Sequence, residues 1–169
     1  MDRTVQHDAH APQSAHTTLS SPSKKQASIV VVDASPLSLI ATAGVLHYQG
    51  YKCMCSRSAE CTTQALAAET QDLIVWDVGD DAAAVLDSIA EIRQNEVFQE
   101  IPVVLLADSQ WAGLEKKAEQ LSAPTRCLFK PIDPNSLIAV VDQLLWMPSL
   151  VSAHRKRGSK PSRPGWVTL

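Results

Sequence analysis

The chain has 169 residues, 45% of them hydrophobic and 20% charged, the balance of one ordinary globular domain with tails. No apolar run approaches the ~20 residues that cross a bilayer, and the opening MDRTVQHDAHAPQSAHTTLSSPSKKQA lacks the apolar core of a secretory signal, so a cytoplasmic protein without a membrane span is expected. The net charge of -3 hides an asymmetry: residues 28–147 hold seven Lys/Arg against sixteen Asp/Glu, whereas 148–169 hold five basic residues and no acid.

Residues 1–27 are rich in Ser, Thr, His, Pro and Gln. They bury too little apolar surface to offset chain entropy, which predicts a disordered N-terminal tail. A regular alternation follows. The run Ile29-Val30-Val31-Val32 predicts a strand over 28–33, and Ser35-Pro36 opens a helix over 36–48 with proline in its first turn. Gly50 stops that helix. A second strand at 51–55 leads through Ser56 and Ser58 to an alanine-rich helix ending near Glu69. Leu73-Ile74-Val75-Trp76 marks a third strand over 72–77, and Val85, Ile89 and Ile92 form the apolar stripe of a helix over 81–95. A fourth strand covers 101–107, with Pro102 near its start, where a missing donor is tolerable. A helix at 109–121, a strand at 125–129 and a helix at 134–146 complete the series. From Pro148 the composition turns to Pro, Gly, Lys and Arg, which predicts a flexible basic tail over 148–169.

Five strands alternating with five helices over short loops imply a parallel sheet covered by helices on both faces. Three of the apolar runs end in a lone charge: Asp33, Asp77 and Lys130. In open α/β sheets the functional crevice lies beyond the carboxyl ends of the strands, so two carboxylates and an ammonium are expected to converge there. The cysteines Cys53, Cys55, Cys61 and Cys127 read as reduced thiols packed in the core. A metal site from Cys53, Cys55, Cys61 and His47 fits no standard zinc spacing.

The ordered strings VVVDASP, DLIVWD, IPVVLLAD and LFKP resemble the receiver domains of two-component response regulators over about residues 28–147. The resemblance implies a flavodoxin-like, doubly wound five-stranded parallel sheet with five helices. It implies a signalling protein rather than an enzyme. Asp77 would be the phosphoacceptor for a histidine kinase or phosphotransfer protein, and Lys130 would bind the phosphoryl oxygens. A magnesium ion would be held by Asp33, Asp77 and the backbone carbonyl of Gly79. The Lys130-Pro131 pair resembles the family's Lys-Pro, often joined by a cis bond.

Three positions depart from that pattern. Ala34 stands where the family has a second acid, Ala107 where it has a Thr or Ser hydroxyl, and Cys127 where it has an aromatic switch residue. Val78-Gly79-Asp80-Asp81 replaces the usual Met-Pro-Gly stretch. Weak magnesium binding and impaired switching are therefore expected. Asp80 or Asp108 leaning into the pocket would restore a ligand; the favoured reading makes Asp80 and Asp81 the opening of the third helix and Asp108 the cap of the fourth.

The chain after 147 is too short for a DNA-binding output domain, so the expected output is a contact with a downstream protein. By resemblance that contact uses a face including Trp111, Lys116, Lys117 and Arg126. Nucleic-acid binding by His154-Arg155-Lys156-Arg157, Lys160 and Arg163 is not favoured. The expected function is a single-domain receiver phosphorylated on Asp77. The alternative is a phosphorylation-independent pseudo-receiver serving as an adaptor. A flavodoxin-like enzyme or nucleotide binder is disfavoured, because no glycine-rich phosphate loop follows the first strand.

Overall fold

A computed structural model of the chain describes residues 26–121 and 123–157, with side chains described as far as residue 146. Its five strands are β1 (Ser28–Val32), β2 (Lys52–Ser56), β3 (Leu73–Asp77), β4 (Val103–Ala107) and β5 (Thr125–Phe129). They form one parallel sheet in the order β2-β1-β3-β4-β5, so the expected doubly wound fold is observed. The helices are α1 (Pro36–Tyr48), α2 (Ala59–Ala68), α3 (Ala82–Ile92), α4 (Leu114–Ala118) and α5 (Pro134–Arg157).

Strand composition explains the layering. Because side chains alternate along a strand, Val30, Val32, Ile74, Trp76, Val103 and Leu105 face one way, against Leu66 of α2, Ile89 and Ile92 of α3, and Leu114 and Ala118 of α4. Ile29, Val31, Leu73, Val75, Val104 and Leu106 face the other, against Leu39, Ala43 and Leu46 of α1 and Leu137, Val141 and Leu144 of α5. Both faces are dry, which is why the strands read as continuous apolar runs instead of alternating ones. The order reverses between β1 and β3, and the crevice such a reversal opens lies at the carboxyl edge.

Two predicted elements change. The helix expected over 109–121 is split into a 3-10 turn at Ser109–Trp111 and the short α4. Gly113 lies between them with φ of +98°, a left-handed conformation that no right-handed helix can pass through. The last helix, expected to stop at residue 146, runs to Arg157. Proline removes one backbone donor, and residues 149–157, SLVSAHRKR, contain no further proline or glycine, so the helix resumes its bonding after Pro148. The expected tail is thus helical over 148–157; 158–169 lie outside the described residues. The N-terminal tail expectation also lies outside them, apart from Gln26, whose amide donates to the Gly50 carbonyl, and Ala27, whose carbonyl accepts from the Lys52 N–H at 2.9 Å. Among the described residues no helix is long and apolar enough to cross a membrane.

Candidate functional site

Strand register brings the singled-out charges together. Asp77, the last residue of β3, pairs with Leu106 of β4, and the next residue, Ala107, pairs with Phe129 of β5. Lys130 follows directly, its N–H donating to the Ala107 carbonyl at 2.8 Å. On the other side of β3, Asp33 leaves β1 with its N–H on the Ser56 carbonyl at 3.1 Å. The carboxyl ends of the strands therefore present Asp33, Asp77 and Lys130 in a row of loops, as lone charges closing apolar runs of one parallel sheet require.

Asp77 and Lys130 are in direct contact. The Lys130 ammonium donates to Asp77 Oδ1 at 3.1 Å and lies 2.8 Å from Oδ2. Asp108 Oδ2 is 3.6 Å from the same nitrogen. The Asp77 side chain is only 7% exposed, against 32% for Lys130. Burial works against the lysine's charge, but the hydrogen bond and charge of Asp77, joined by Asp108 and Asp33, outweigh it and hold its pKa above the ordinary value. Ala107 is fully buried beside the pair and offers no hydroxyl. The Lys130-Pro131 peptide is cis.

A cleft of about 360 Å³ opens beside Asp77, lined by Asp33, Ala34, Arg57, Gly79, Asp80 and Asp81 among others. The donors here fit a divalent cation in part. Asp33 is 6% exposed, and its Oδ1 accepts from the Ser35 N–H at 2.8 Å. Its Oδ2 is buried with no hydrogen-bond partner, the kind of orphaned anionic oxygen that a hard cation satisfies. Asp77 supplies a second carboxylate and Gly79 a carbonyl. Ala34 supplies no side-chain ligand; Arg57 Nη2 instead donates to the Ala34 carbonyl at 3.1 Å. The Gly79 carbonyl already accepts from the Trp111 indole N–H at 3.0 Å. Among the described residues no three His, Cys, Asp or Glu side chains are grouped as a metal site.

Two of these contacts escape sequence reading. Trp111, expected on the output face by resemblance, turns its indole N–H toward the site, because the 3-10 turn and Gly113 break the helix that placed it outward. Arg57 lies in the β2–α2 loop, and no spacing signals its reach to Ala34. Asp81 does cap α3, accepting from the Ala84 N–H at 3.0 Å, while Asp80 stands exposed at the rim of the cleft. Asp108 makes no side-chain cap bond; the Lys130 ammonium draws it toward the pocket instead.

The cysteines divide. Cys53 and Cys127 are half-buried, whereas Cys55 and Cys61 are exposed, so core packing holds for only one pair. Cys55 lies on β2, an edge strand with a neighbour on one side only, and Cys61 on the outer side of α2. Burial, aided by the charge of Cys55, pushes the Cys53 thiol up to about 11; burial, aided by Glu115, does the same for Cys127. The thiolate is the nucleophile. With dithionitrobenzoate at neutral pH, the native protein should therefore show a fast phase of two thiols, Cys55 and Cys61. Cys53 and Cys127 should react only on unfolding, and a fast reaction at Cys127 would contradict this arrangement.

Comparison with known structures adds the fold's relatives. The chain is similar to the chemotaxis response regulator CheY4 of Vibrio cholerae, with a TM-score of 0.63 and 18% identity over 71% of this chain and 99% of that one. It is also similar to the signal receiver domain of a LuxO repressor protein from Vibrio parahaemolyticus, with a TM-score of 0.65 and 19% identity over 76% and 97% of the two chains. The fold is that of a receiver domain. NtrX from Brucella abortus matches with a TM-score of 0.68 and 21% identity, over 81% of this chain but only 31% of that protein. No family model and no curated protein matches the sequence.

Proposed function

We propose that this chain is a receiver module of two-component signalling that accepts a phosphoryl group on Asp77. The observation that carries this reading is the Asp77–Lys130 pair at the carboxyl edge of β3 and β5, beside a cleft open to a donor. The nucleophile is an Asp77 carboxylate oxygen, which attacks phosphorus in line with the bond to the donor. The new P–O bond forms as the P–N bond to the donor's histidine breaks. The electron pair stays on the leaving imidazole nitrogen, which takes a proton from solvent. Lys130 then exchanges part of its pairing with Asp77 for the phosphoryl oxygens, so one cation serves the carboxylate before transfer and the acyl phosphate after it. Magnesium, held by Asp33, Asp77 and the Gly79 carbonyl, would neutralise phosphoryl charge; with Ala34 in place of an acid, its binding is weak.

A phosphorylation-independent adaptor is the second reading. It is favoured by the state of the cation, since Lys130 is shared between Asp77 and Asp108 and is already neutralised without any phosphoryl group. Incubation with acetyl phosphate and magnesium, followed by intact-mass analysis, separates the two. The receiver reading expects one phosphoryl adduct that disappears in Asp77→Asn and on acid-labile hydrolysis. No adduct at saturating magnesium, with acetyl phosphate and with a histidine-phosphorylated donor, rules out phosphorylation of Asp77 and leaves the adaptor.

A further inference from the structure

We infer that Trp111 is a positioning residue that ties the segment after β4 to the state of the Asp77 carboxylate, in a chain with no hydroxyl at Ala107 and no aromatic ring at Cys127. Gly79 is held at both of its polar groups. Its N–H donates to Asp77 Oδ1 at 2.9 Å, and its carbonyl accepts from Trp111 Nε1 at 3.0 Å. Gly79 has φ of +59°, so the peptide that carries its carbonyl sits in a conformation open to glycine and costly for other residues. The two bonds lie on the two peptide planes that meet at the Gly79 Cα and so run in series: Asp77 carboxylate, Val78–Gly79 peptide, Gly79–Asp80 peptide, Trp111 indole.

The far end of this series is anchored at only a few places. Trp111 closes the 3-10 turn, and left-handed Gly113 separates that turn from the five-residue α4. The turn buries none of its own residues, and α4 is anchored through Leu114 and Ala118. Trp111 itself is half-buried against the core on that face of the sheet. The indole bond and this packing together hold the turn, and loss of the bond leaves only the packing. Any event that takes Asp77 Oδ1 from the Gly79 N–H frees the Val78–Gly79 peptide, and with it the torsions at Gly79 that orient the carbonyl of the next peptide. Rotation turns the carbonyl from the indole and releases the turn. A cation binding the Gly79 carbonyl would compete for the same oxygen. Part of this inference, the response to a phosphoryl group, rests on the reading of Asp77 as acceptor; the linkage itself does not.

The test separates the two. In ¹⁵N–¹H spectra of the full chain, the Trp111 indole resonance is assigned by its loss in Trp111→Phe. Asp77→Ala removes the acceptor from Gly79 without any phosphorylation. It should shift that indole resonance toward the free-indole position and raise amide exchange over 109–118 at least tenfold, leaving the Trp146 indole unmoved. Asp77→Asn, which keeps the shape and loses the charge, should do the same to a smaller degree. In Trp111→Phe the segment should exchange fast from the start and no longer respond to Asp77→Asn. Unchanged Trp111 resonance and exchange in both Asp77 variants would overturn the linkage. If those variants move Trp111 while acetyl phosphate leaves no adduct, the linkage stands and the acceptor reading fails.

Discussion

Replacing Lys130 with methionine should lower the stability of the domain by about 2 kcal/mol at neutral pH. The Asp77 carboxylate is almost wholly buried, and Lys130 is the cation in direct contact with it. Removing one partner of a buried ion pair leaves the other charge desolvated and uncompensated, which is strongly destabilising. Lys130 is itself about one-third exposed, so solvent screening brings the loss below that of a fully buried pair. The pH dependence follows from the elevated lysine pKa. The stabilisation is fully present below the unfolded lysine value and is lost only as pH rises through the higher folded one. The difference between wild type and variant should therefore be flat on the basic side of neutrality and close only in strong alkali. Urea denaturation across pH measures both. Equal midpoints at neutral pH would show that the pair contributes nothing to stability.

Ala34→Asp should raise magnesium affinity by about tenfold, the effect of one further carboxylate in a site with two, and equivalent to about 1.4 kcal/mol. The wild-type site has the orphaned Asp33 Oδ2, the Asp77 carboxylate and a Gly79 carbonyl already bonded to Trp111. Arg57, bonded to the Ala34 carbonyl, would be drawn to the new side chain and offset part of the gain, so Ala34→Asp with Arg57→Ala should bind tighter still. Without metal the extra acid repels Asp33 and Asp77, and the metal-free variant should be the less stable one. Calorimetric titration with magnesium reads the affinity. Equal affinities in wild type and both variants would mean that the cation, if bound at all, does not approach residue 34.

The sheet was legible because its three central strands are buried on both faces. Ile29–Val32, Leu73–Trp76 and Val103–Ala107 are at most 5% exposed, and such segments have to be written in Val, Ile and Leu. The charges after them were legible for the same reason: a lone Asp or Lys closing an apolar run has only the sheet edge to occupy. What sequence could not show depends on backbone turns and on the reach of long side chains. Trp111 fits an outward helical position if 109–121 is one helix, and the extended Ala112 with the left-handed Gly113 decides that it is not. Asp108 is expected to cap, yet its side chain makes no cap bond and lies 3.6 Å from the Lys130 ammonium. Pro148 reads as a stop because proline usually is one, but a single missing donor does not end a helix when no further proline or glycine follows through residue 157.

Gly113 has one more consequence. Glycine occupies left- and right-handed backbone at nearly equal cost, so the joint after the 3-10 turn is held by its surroundings and not by its own chemistry. Ala112 before it is extended, with ψ of 125°, so a continuous helix from Ser109 to Ala118 would need both Ala112 and Gly113 to enter the right-handed helical region. The joint is therefore two residues wide, an extended alanine followed by a left-handed glycine, and it sets the 3-10 turn and the short helix after it on different axes.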